Sequence, residues 1–250
     1  MHTSEALELA VELVSAGGQL ATDRQSSVVE HSKPGTGSLT GAAVTDVDLA
    51  VERAVDEALA ARCPDDGLVG EEFVDRPGTS GRTWWVDPVD GTLNYARRLG
   101  VWSVVLSAWQ GDEPELVAVW SAGSLWTATR GGGAFCDGVR LSLPREAEPG
   151  GIVSTGAVLA GVVQRAGWLA RVVDSSAAQV CQVADGRVVG SIRRYGHRRD
   201  LHGPALLVAE AGGTVTDTAG GAWDGESPGL VLGRAEAHAD LLRLVGTDAT

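Results

Sequence analysis

Hydrophobic residues before residue 62 recur at intervals of three or four, which is the spacing of one buried helix face. Two helices are predicted there. The first begins at Ser4, which can cap it, and is interrupted or ended by Gly17 and Gly18. The second covers 46–61. Between them, residues 31–42 are rich in Gly, Ser and Thr and are predicted to form a mobile loop rather than a linker between domains.

Beyond the second helix the pattern changes to short apolar runs and alternation, which predicts strands. A short strand over 68–70 leads into Glu71, and another apolar run leads into Asp87. A meander of antiparallel strands is predicted over 101–110, 116–121 and 125–129, and a last short strand over 139–143 follows a turn-rich segment. Residues 144–151 are polar with Pro and Gly. They are the predicted boundary between two lobes, 1–145 and 146–250.

In the second lobe strands alternate with helices, a pattern typical of α/β proteins. Strands are predicted over 152–155, 188–192 and 214–217, and helices over 159–170, 176–184, 200–211 and 235–245. The whole chain is therefore expected to have an α/β or α+β fold with at least one antiparallel sheet.

The amino-acid composition of the chain limits which binding partners and which cellular compartment are expected. The formal net charge of −13 argues against nucleic acid, whose binding proteins usually carry a basic face. The three cysteines, Cys63, Cys136 and Cys181, are far apart with no CxxC spacing, so neither a disulfide framework nor a zinc site is expected. The N-terminal residues do not resemble a signal peptide, and no apolar run approaches the roughly eighteen residues of a membrane span. We therefore expect a cytoplasmic protein without membrane contacts.

Acidic residues stand at the ends of predicted apolar runs or at a predicted helix start: Glu71, Asp87, Asp90 and Asp200. Two carboxylates about 4 Å apart repel by roughly 4 kcal/mol at an effective dielectric of about 20, so converging carboxylates need protons or cations. All-oxygen ligands favour Mg²⁺, Mn²⁺ or Ca²⁺ over zinc. Taken singly, each residue is better explained as a turn residue, a solvated surface group or a helix cap, whereas taken together they are equally explained as a metal site. Both interpretations remain open at this point.

The stretch Asp87-Pro88-Val89-Asp90-Gly91-Thr92 resembles the signature of the inositol monophosphatase family, which consists of magnesium-dependent, lithium-sensitive phosphomonoesterases. Further segments resemble family motifs in the family's order: 44–48, 70–72, 130–138 and 200–217. The resemblance implies a layered α-β-α-β-α sandwich of the inositol monophosphatase and sugar phosphatase type. It also implies two or three Mg²⁺ ions per site, with Mn²⁺ as a possible substitute, and a homodimer.

The resemblance also implies roles for individual residues. The implied metal ligands are Glu71, Asp87, the carbonyl of Val89, Asp90 and Asp200. The implied catalytic residues are Asp48 and Thr92, which would orient the attacking water, and Glu72, which would assist a third metal site. The implied substrate contacts are Asp90, Gly91, Thr92, Arg171, Ser175, Ala177, Arg193 and Arg199.

Two positions depart from the family pattern. Arg199 stands where the family usually has Trp, and Arg193 stands where inositol-specific members carry a sugar-binding Glu. These arginines could form a solvated surface, bind a second anionic group of the substrate, or, for Arg199, pair with Asp200 and weaken a metal site. Candidate substrates are cyclitol, sugar, histidinol and nucleoside phosphates. The alternative function is a catalytically weakened homologue that serves as a binding or regulatory protein, an alternative opposed by the intact Asp48 and Thr92.

Overall fold

The computed structural model describes residues 1–32, 43–73, 75–194, 198–225, 227 and 229–247, with only the backbone at 32, 43, 198, 199, 246 and 247. Most of the predicted mobile loop, 31–42, therefore lies outside the described residues, as does the side chain of Arg199.

The helices are α1 Thr3–Arg24, α2 Asp46–Arg62, α3 Thr92–Ala96, α4 Ala157–Arg165, α5 Ser176–Ala184, α6 Arg198–Glu210 and α7 Ala235–Thr247. The strands before residue 144 are β1 Glu30–Ser32, β2 Ala43–Thr45, β3 Gly67–Val69, β4 Arg82–Asp90, β5 Ser103–Gln110, β6 Glu113–Ser121, β7 Ser124–Thr129, β8 Gly133–Cys136 and β9 Val139–Arg140. Those after it are β10 Ile152–Thr155, β11 Leu169–Val172, β12 Gly190–Arg193, β13 Thr214–Thr216 and β14 Leu230–Gly233.

Two large sheets form, each from residues on one side of 144–151. The first has seven strands in the order β3-β4-β5-β6-β7-β8-β9; β3 pairs parallel to β4 and the others pair antiparallel. The second has five strands in the order β11-β10-β12-β14-β13 and is mixed. A two-stranded ribbon of β1 and β2 flanks the gap in the described chain.

Successive side chains along a strand point to opposite faces of the sheet, and both faces of the first sheet are buried. On one face Val104 packs with Leu9 of α1 and Val51 of α2. On the other face neighbouring Val105 packs in a cluster that includes α5 and α6 and reaches the second sheet. The outer face of that sheet is covered by α4 and α7. The layers therefore run α-β-α-β-α, as the resemblance implied.

Several predicted boundaries are wrong. Gly17 and Gly18 do not end α1, which continues to Arg24. A Cβ at Gly18 would lie 2.2 Å from the Trp120 ring, so glycine here lets the helix approach β6 closely. Ser4 is also not the cap, because the helix begins at Thr3 after His2.

In the second lobe the predicted helix over 159–170 ends at Arg165 and is followed by β11. This edge strand exposes Leu169 and Val172, so it lacks the alternation that signals a half-buried strand. Asp200 lies in the first turn of α6 instead of capping it. Four further strands, β1, β2, β8 and β14, were not predicted.

Candidate active site

The end of β4 collects the acidic residues of the signature. Asp87, Val89 and Asp90 are all buried there. Pairing with β5 passes from Asp87 opposite Val105 to Asp90 opposite Ser103, so β4 carries one extra residue. Pro cannot donate to a ladder and is tolerated at such a bulge. Pro88 therefore explains why the strand pairing is interrupted where the candidate ligands lie.

Gly91 joins β4 to α3 in a conformation and a space that exclude other residues. Its φ of +87° is left-handed, which L side chains rarely adopt. A Cβ there would also lie 2.8 Å from the carbonyl oxygen of Asp174 and 3.0 Å from Cβ of Ser175. The turn after β4 is thus in close contact with the start of α5, which lies across the predicted lobe boundary.

The Asp90 carboxylate is bound by groups from both sides of that boundary. Its Oδ2 accepts hydrogen bonds from Ser103 Oγ (2.8 Å), Ser175 Oγ (2.6 Å) and the Ala177 amide (2.8 Å). Its Oδ1 accepts one from the Ser176 amide (2.8 Å). These amides form the N-terminus of α5, where a negative charge is favourable. Oδ1 retains a lone pair with which Asp90 could bind a cation.

Asp48, Thr92 and Val89 form a second hydrogen-bonded group. The Thr92 hydroxyl lies 3.2 Å from Asp48 Oδ1 and 2.9 Å from the Val89 carbonyl oxygen. Asp48 is fixed in turn by Thr45, the N-cap of α2, whose amide (2.8 Å) and hydroxyl both donate to Oδ2. The structure therefore brings together the predicted water-orienting pair, Asp48 and Thr92, and places it against a predicted metal ligand.

Asp48 is a buried carboxylate with two acidic neighbours, Glu71 and Glu72. Burial raises the pKa of Asp48 to about 6; the charges of Glu72 and Glu71 add to the rise, while the bonds from Thr45 oppose it. Because the charges of Glu71 and Glu72 affect the pKa of Asp48, both carboxylates lie within electrostatic reach of it. A bound divalent cation would relieve their repulsion, so the chemistry of the oxygen donors fits Mg²⁺ or Mn²⁺.

The described residues do not, however, form a closed coordination cage. Within them, no group of three or more His, Cys, Asp or Glu side chains is arranged to hold a metal ion. The metal roles of Glu71, Asp87, Val89, Asp90 and Asp200 therefore stay predictions, as does the role of Glu72. Asp200 lies two residues before His202 of α6, which packs against Trp109 of the first sheet with ring centroids 4.7 Å apart.

Arg193, at the end of β12, is the predicted substrate contact with the most distinctive surroundings. Its Nη2 donates to Oε1 of buried Gln179, which also accepts from Ser154 Oγ. Burial lowers the pKa of Arg193, opposed by the charges of Asp90 and Asp174. Its Nε is buried with no hydrogen-bond partner among the described residues. The Arg193 guanidinium is thus within electrostatic reach of the Asp90 carboxylate.

The other predicted substrate contacts fall into different places. Ser175 and Ala177 bind Asp90 directly, as described above. Arg171 is exposed on edge strand β11, where its Nη1 lies 3.4 Å from the Ala170 carbonyl oxygen. Its contact with substrate stays a prediction.

Sequence reasoning missed residues that hold the site together. Ser103 and Gln179 carry no sequence signal for their contacts, which depend on long-range packing. Glu52, which binds the turn containing Glu71 and Glu72, did have a signal. It stands four residues after Asp48, a spacing that places both carboxylates on the same side of a helix.

The structure is thus a layered α/β sandwich with buried carboxylates at the end of β4. The chain belongs to the inositol monophosphatase family, whose model matches residues 2–247. It is 29% identical to inositol monophosphatase 2 of Mus musculus over 241 residues, which cover 88% of this chain and 82% of that protein. It is 33% identical to a histidinol-phosphatase of Chlorobaculum parvum over 147 residues, which cover 57% and 54% respectively.

A solved structure agrees with the fold. The IMPase of Thermotoga maritima superposes with a TM-score of 0.88 over 97% of each chain, at 24% identity. At this identity the likeness concerns the fold alone.

Two further observations concern the protein's surroundings. None of the described helices is long and apolar enough to cross a membrane. Cys63, Cys136 and Cys181 are all unpaired, so no disulfide forms among them.

Proposed function

We propose that this protein hydrolyses a small-molecule phosphate monoester with the help of two or three Mg²⁺ ions, which Mn²⁺ could replace. Glu71, Asp87, Asp90, Asp200 and the Val89 carbonyl would hold the ions. Ions held there would polarise the phosphate oxygens and lower the pKa of a bound water molecule. The observation that carries the proposal is the contact of Asp48 with Thr92 beside the buried end of β4.

The protein's own contribution would be to orient the attacking water. The Thr92 hydroxyl has one proton and two neighbouring acceptors, Asp48 Oδ1 and the Val89 carbonyl. When it donates to Asp48, its oxygen lone pairs are available to accept a hydrogen bond from water. Asp48, itself fixed by Thr45, thereby sets the direction in which Thr92 orients that water.

The start of α3 would bind the phosphate group. Gly91 and Thr92 could offer backbone amides to its oxygens; α3 has only five residues, so this contribution is local hydrogen bonding. Ser175, Ala177, Arg171 and Arg199 complete the proposed substrate contacts. In this arrangement residues 1–145 carry most metal ligands, and residues 146–250 supply Asp200 and most substrate contacts.

Arg193 favours substrates that carry a second anionic group. Its half-buried guanidinium lies within electrostatic reach of Asp90, and its buried Nε has no hydrogen-bond partner within the described residues. Arg binds phosphate and carboxylate through paired N–H groups. Among cyclitol, sugar, histidinol and nucleoside phosphates, we therefore favour bisphosphates of a sugar or nucleoside.

We extend the proposal to a cytoplasmic homodimer. The unpaired cysteines are typical of a reducing compartment.

Apolar side chains on α4 and edge strand β11 are exposed, namely Val158 (76%), Leu169 (55%) and Val172 (45%). A second copy could cover them. Sedimentation velocity should give a dimer for the wild type and a monomer for Leu169→Glu; a monomeric wild type would contradict the extension.

The test of the main proposal is phosphate release from a panel of these four substrate classes, with and without Mg²⁺. We expect Mg²⁺-dependent turnover that Asp87→Asn abolishes, while Asp23→Asn, at an exposed aspartate of α1, leaves it unchanged. Asp87 is a better target than Asp90, because Asp90 also holds α5. No turnover on any substrate would favour the alternative of a binding or regulatory homologue.

Substrate preference has its own experiment. Arg193→Gln should raise KM for bisphosphates at least about tenfold more than for monophosphates, because charged hydrogen bonds to phosphate are about twice as strong as neutral ones. Arg165→Gln, at an exposed arginine of α4, is the control. An unchanged ratio of the two KM values would assign Arg193 a structural role.

A further inference from the structure

Glu52 is a buried acid that the proposed mechanism does not use. It lies on α2 with 1% of its surface exposed, four residues after Asp48. Residues four apart lie on the same side of a helix. One face of α2 thus presents two carboxylates toward the candidate site.

The Glu52 carboxylate binds three consecutive backbone amides. Oε2 accepts from the amides of Glu71 (3.1 Å) and Glu72 (2.9 Å), and Oε1 accepts from the amide of Phe73 (3.0 Å). Successive amides that converge in this way form a binding site for an anion. Here the anion is a side chain of the same protein, so the turn after β3 is tied to α2.

Two further contacts fit the turn to α2. A Cβ at Gly70 would lie 1.9 Å from Glu52 Oε1, so any larger residue would displace the carboxylate. On the outer side, the Arg53 guanidinium lies 5.7 Å from the ring centroid of Phe73, a cation–π contact. The turn is therefore held on both sides by neighbouring residues of one helix.

We propose that Glu52 is a positioning residue, which fixes the turn of residues 70–73 so that Glu71 and Glu72 are held ready to bind a divalent cation. The inference rests on the proposed function in that it takes these two acids to serve the metal site. Because Asp48 is on the same helix, α2 would set the position of the metal-binding turn relative to the water-orienting pair.

The first experiment measures the turn without metal. In EDTA-treated protein, Glu52→Gln should speed hydrogen exchange of the peptide containing residues 70–73, because Gln offers these amides one neutral acceptor oxygen in place of two charged ones. Glu57→Gln changes an exposed acid of the same helix and should leave this exchange unchanged. Equal protection in wild type and Glu52→Gln would overturn the proposal.

The second experiment measures affinity for Mn²⁺ by isothermal titration calorimetry. Residues that orient metal ligands typically change affinity by about 10–100-fold, so we expect a loss of that size for Glu52→Gln and Gly70→Ala, and less than about twofold for Glu57→Gln. If circular dichroism shows that Glu52→Gln does not fold, the affinity of Glu52→Asp, which keeps the charge, is measured in its place. Unchanged affinity in the folded variants would overturn the proposal.

The Mn²⁺ affinity of a Glu71→Gln variant distinguishes a failure of the Glu52 proposal from a failure of the proposed metal site. If the variant keeps wild-type Mn²⁺ affinity, the metal assignment of Glu71 is wrong and the inference fails with it. If Glu71→Gln loses affinity and folded Glu52→Gln does not, the metal site stands and only the role of Glu52 is refuted.

Discussion

A single hydroxyl proton has two possible acceptors at Thr92. Either Asp48 or the Val89 carbonyl can accept it, at 3.2 and 2.9 Å respectively. If the Val89 carbonyl binds a cation, it becomes a poorer acceptor, and the proton is directed to Asp48. The identity of both residues was suggested by sequence motifs, but this competition depends on the bulge at Pro88 and is visible only in three dimensions.

Removing that hydroxyl should impair catalysis more than binding. We expect Thr92→Val to lower kcat by roughly 10²–10⁴-fold with a small change in KM, because positioned proton-transfer groups contribute about that factor. Thr92→Ser should retain most activity, since it keeps the hydroxyl. The measurement is steady-state phosphate release at saturating Mg²⁺. Near-normal kcat for Thr92→Val would show that the water is oriented by other groups.

The buried Asp48 predicts how stability changes with pH in metal-free protein. Its pKa of about 6 in the folded protein is above the ordinary value of 3.8. The folded state therefore holds the proton more tightly, and the resulting stabilisation is present below about pH 4 and lost as pH rises through about 6.

Asp48→Asn should remove this dependence. Urea unfolding in EDTA at several pH values should show the wild type losing roughly 2 kcal/mol more stability than Asp48→Asn between about pH 4 and pH 7. Parallel curves for the two proteins would mean that the pKa of Asp48 is not raised in the folded state.

At the level of elements, sequence patterns correctly predicted a helix start that is fixed by residues next to it in the chain. α2 begins with a reciprocal cap between Thr45 and Asp48 and has a clear apolar stripe, and its start was predicted correctly. α1 and β11 were mispredicted because distant residues decide them. Trp120 provides the surface that Gly18 approaches, and β11 is an edge strand whose partner, β10, precedes it by a whole helix.

The contact of Gly18 with Trp120 can be tested against helix propensity. Alanine favours a helix by about 1 kcal/mol over glycine, but overpacking typically costs about 1–3 kcal/mol. Gly18→Ala should therefore lower the free energy of unfolding, whereas Gly161→Ala in α4, where the nearest atom is the flexible end of Arg165, should raise it. Chemical denaturation measures both. Stabilisation by Gly18→Ala would mean that Trp120 moves aside easily.

At the level of the whole molecule, Asp90 is bound by residues from both sides of segment 144–151. The motifs suggested that Asp90 and Asp200 act together, but they gave no indication that Asp90 is bound by Ser175, Ser176 and Ala177, which are 85 to 87 positions away. Such pairings depend on how two sheets pack. The order of sequence motifs predicts which residues take part, and only tertiary structure gives their partners.

Removal of metal should destabilise the entire protein, because the proposed ligands come from both lobes. At a Mg²⁺ concentration about 100 times Kd, binding stabilises the folded state by about 2.7 kcal/mol. Differential scanning calorimetry should therefore show a higher Tm with Mg²⁺ than with EDTA, and Asp87→Asn should abolish the difference. An equal increase in both proteins would indicate that Mg²⁺ binds elsewhere.

The carboxylate of Asp90 has a consequence for how the chain can be divided. Of the four donors that bind it among the described residues, only Ser103 precedes residue 144; the other three belong to the start of α5. A fragment that stops at residue 147 would have the signature motif but would leave this carboxylate mostly hydrated. The fragment 148–250 would have an uncapped α5. Neither half should be active alone, and activity should return only when the two halves are co-expressed and reassemble.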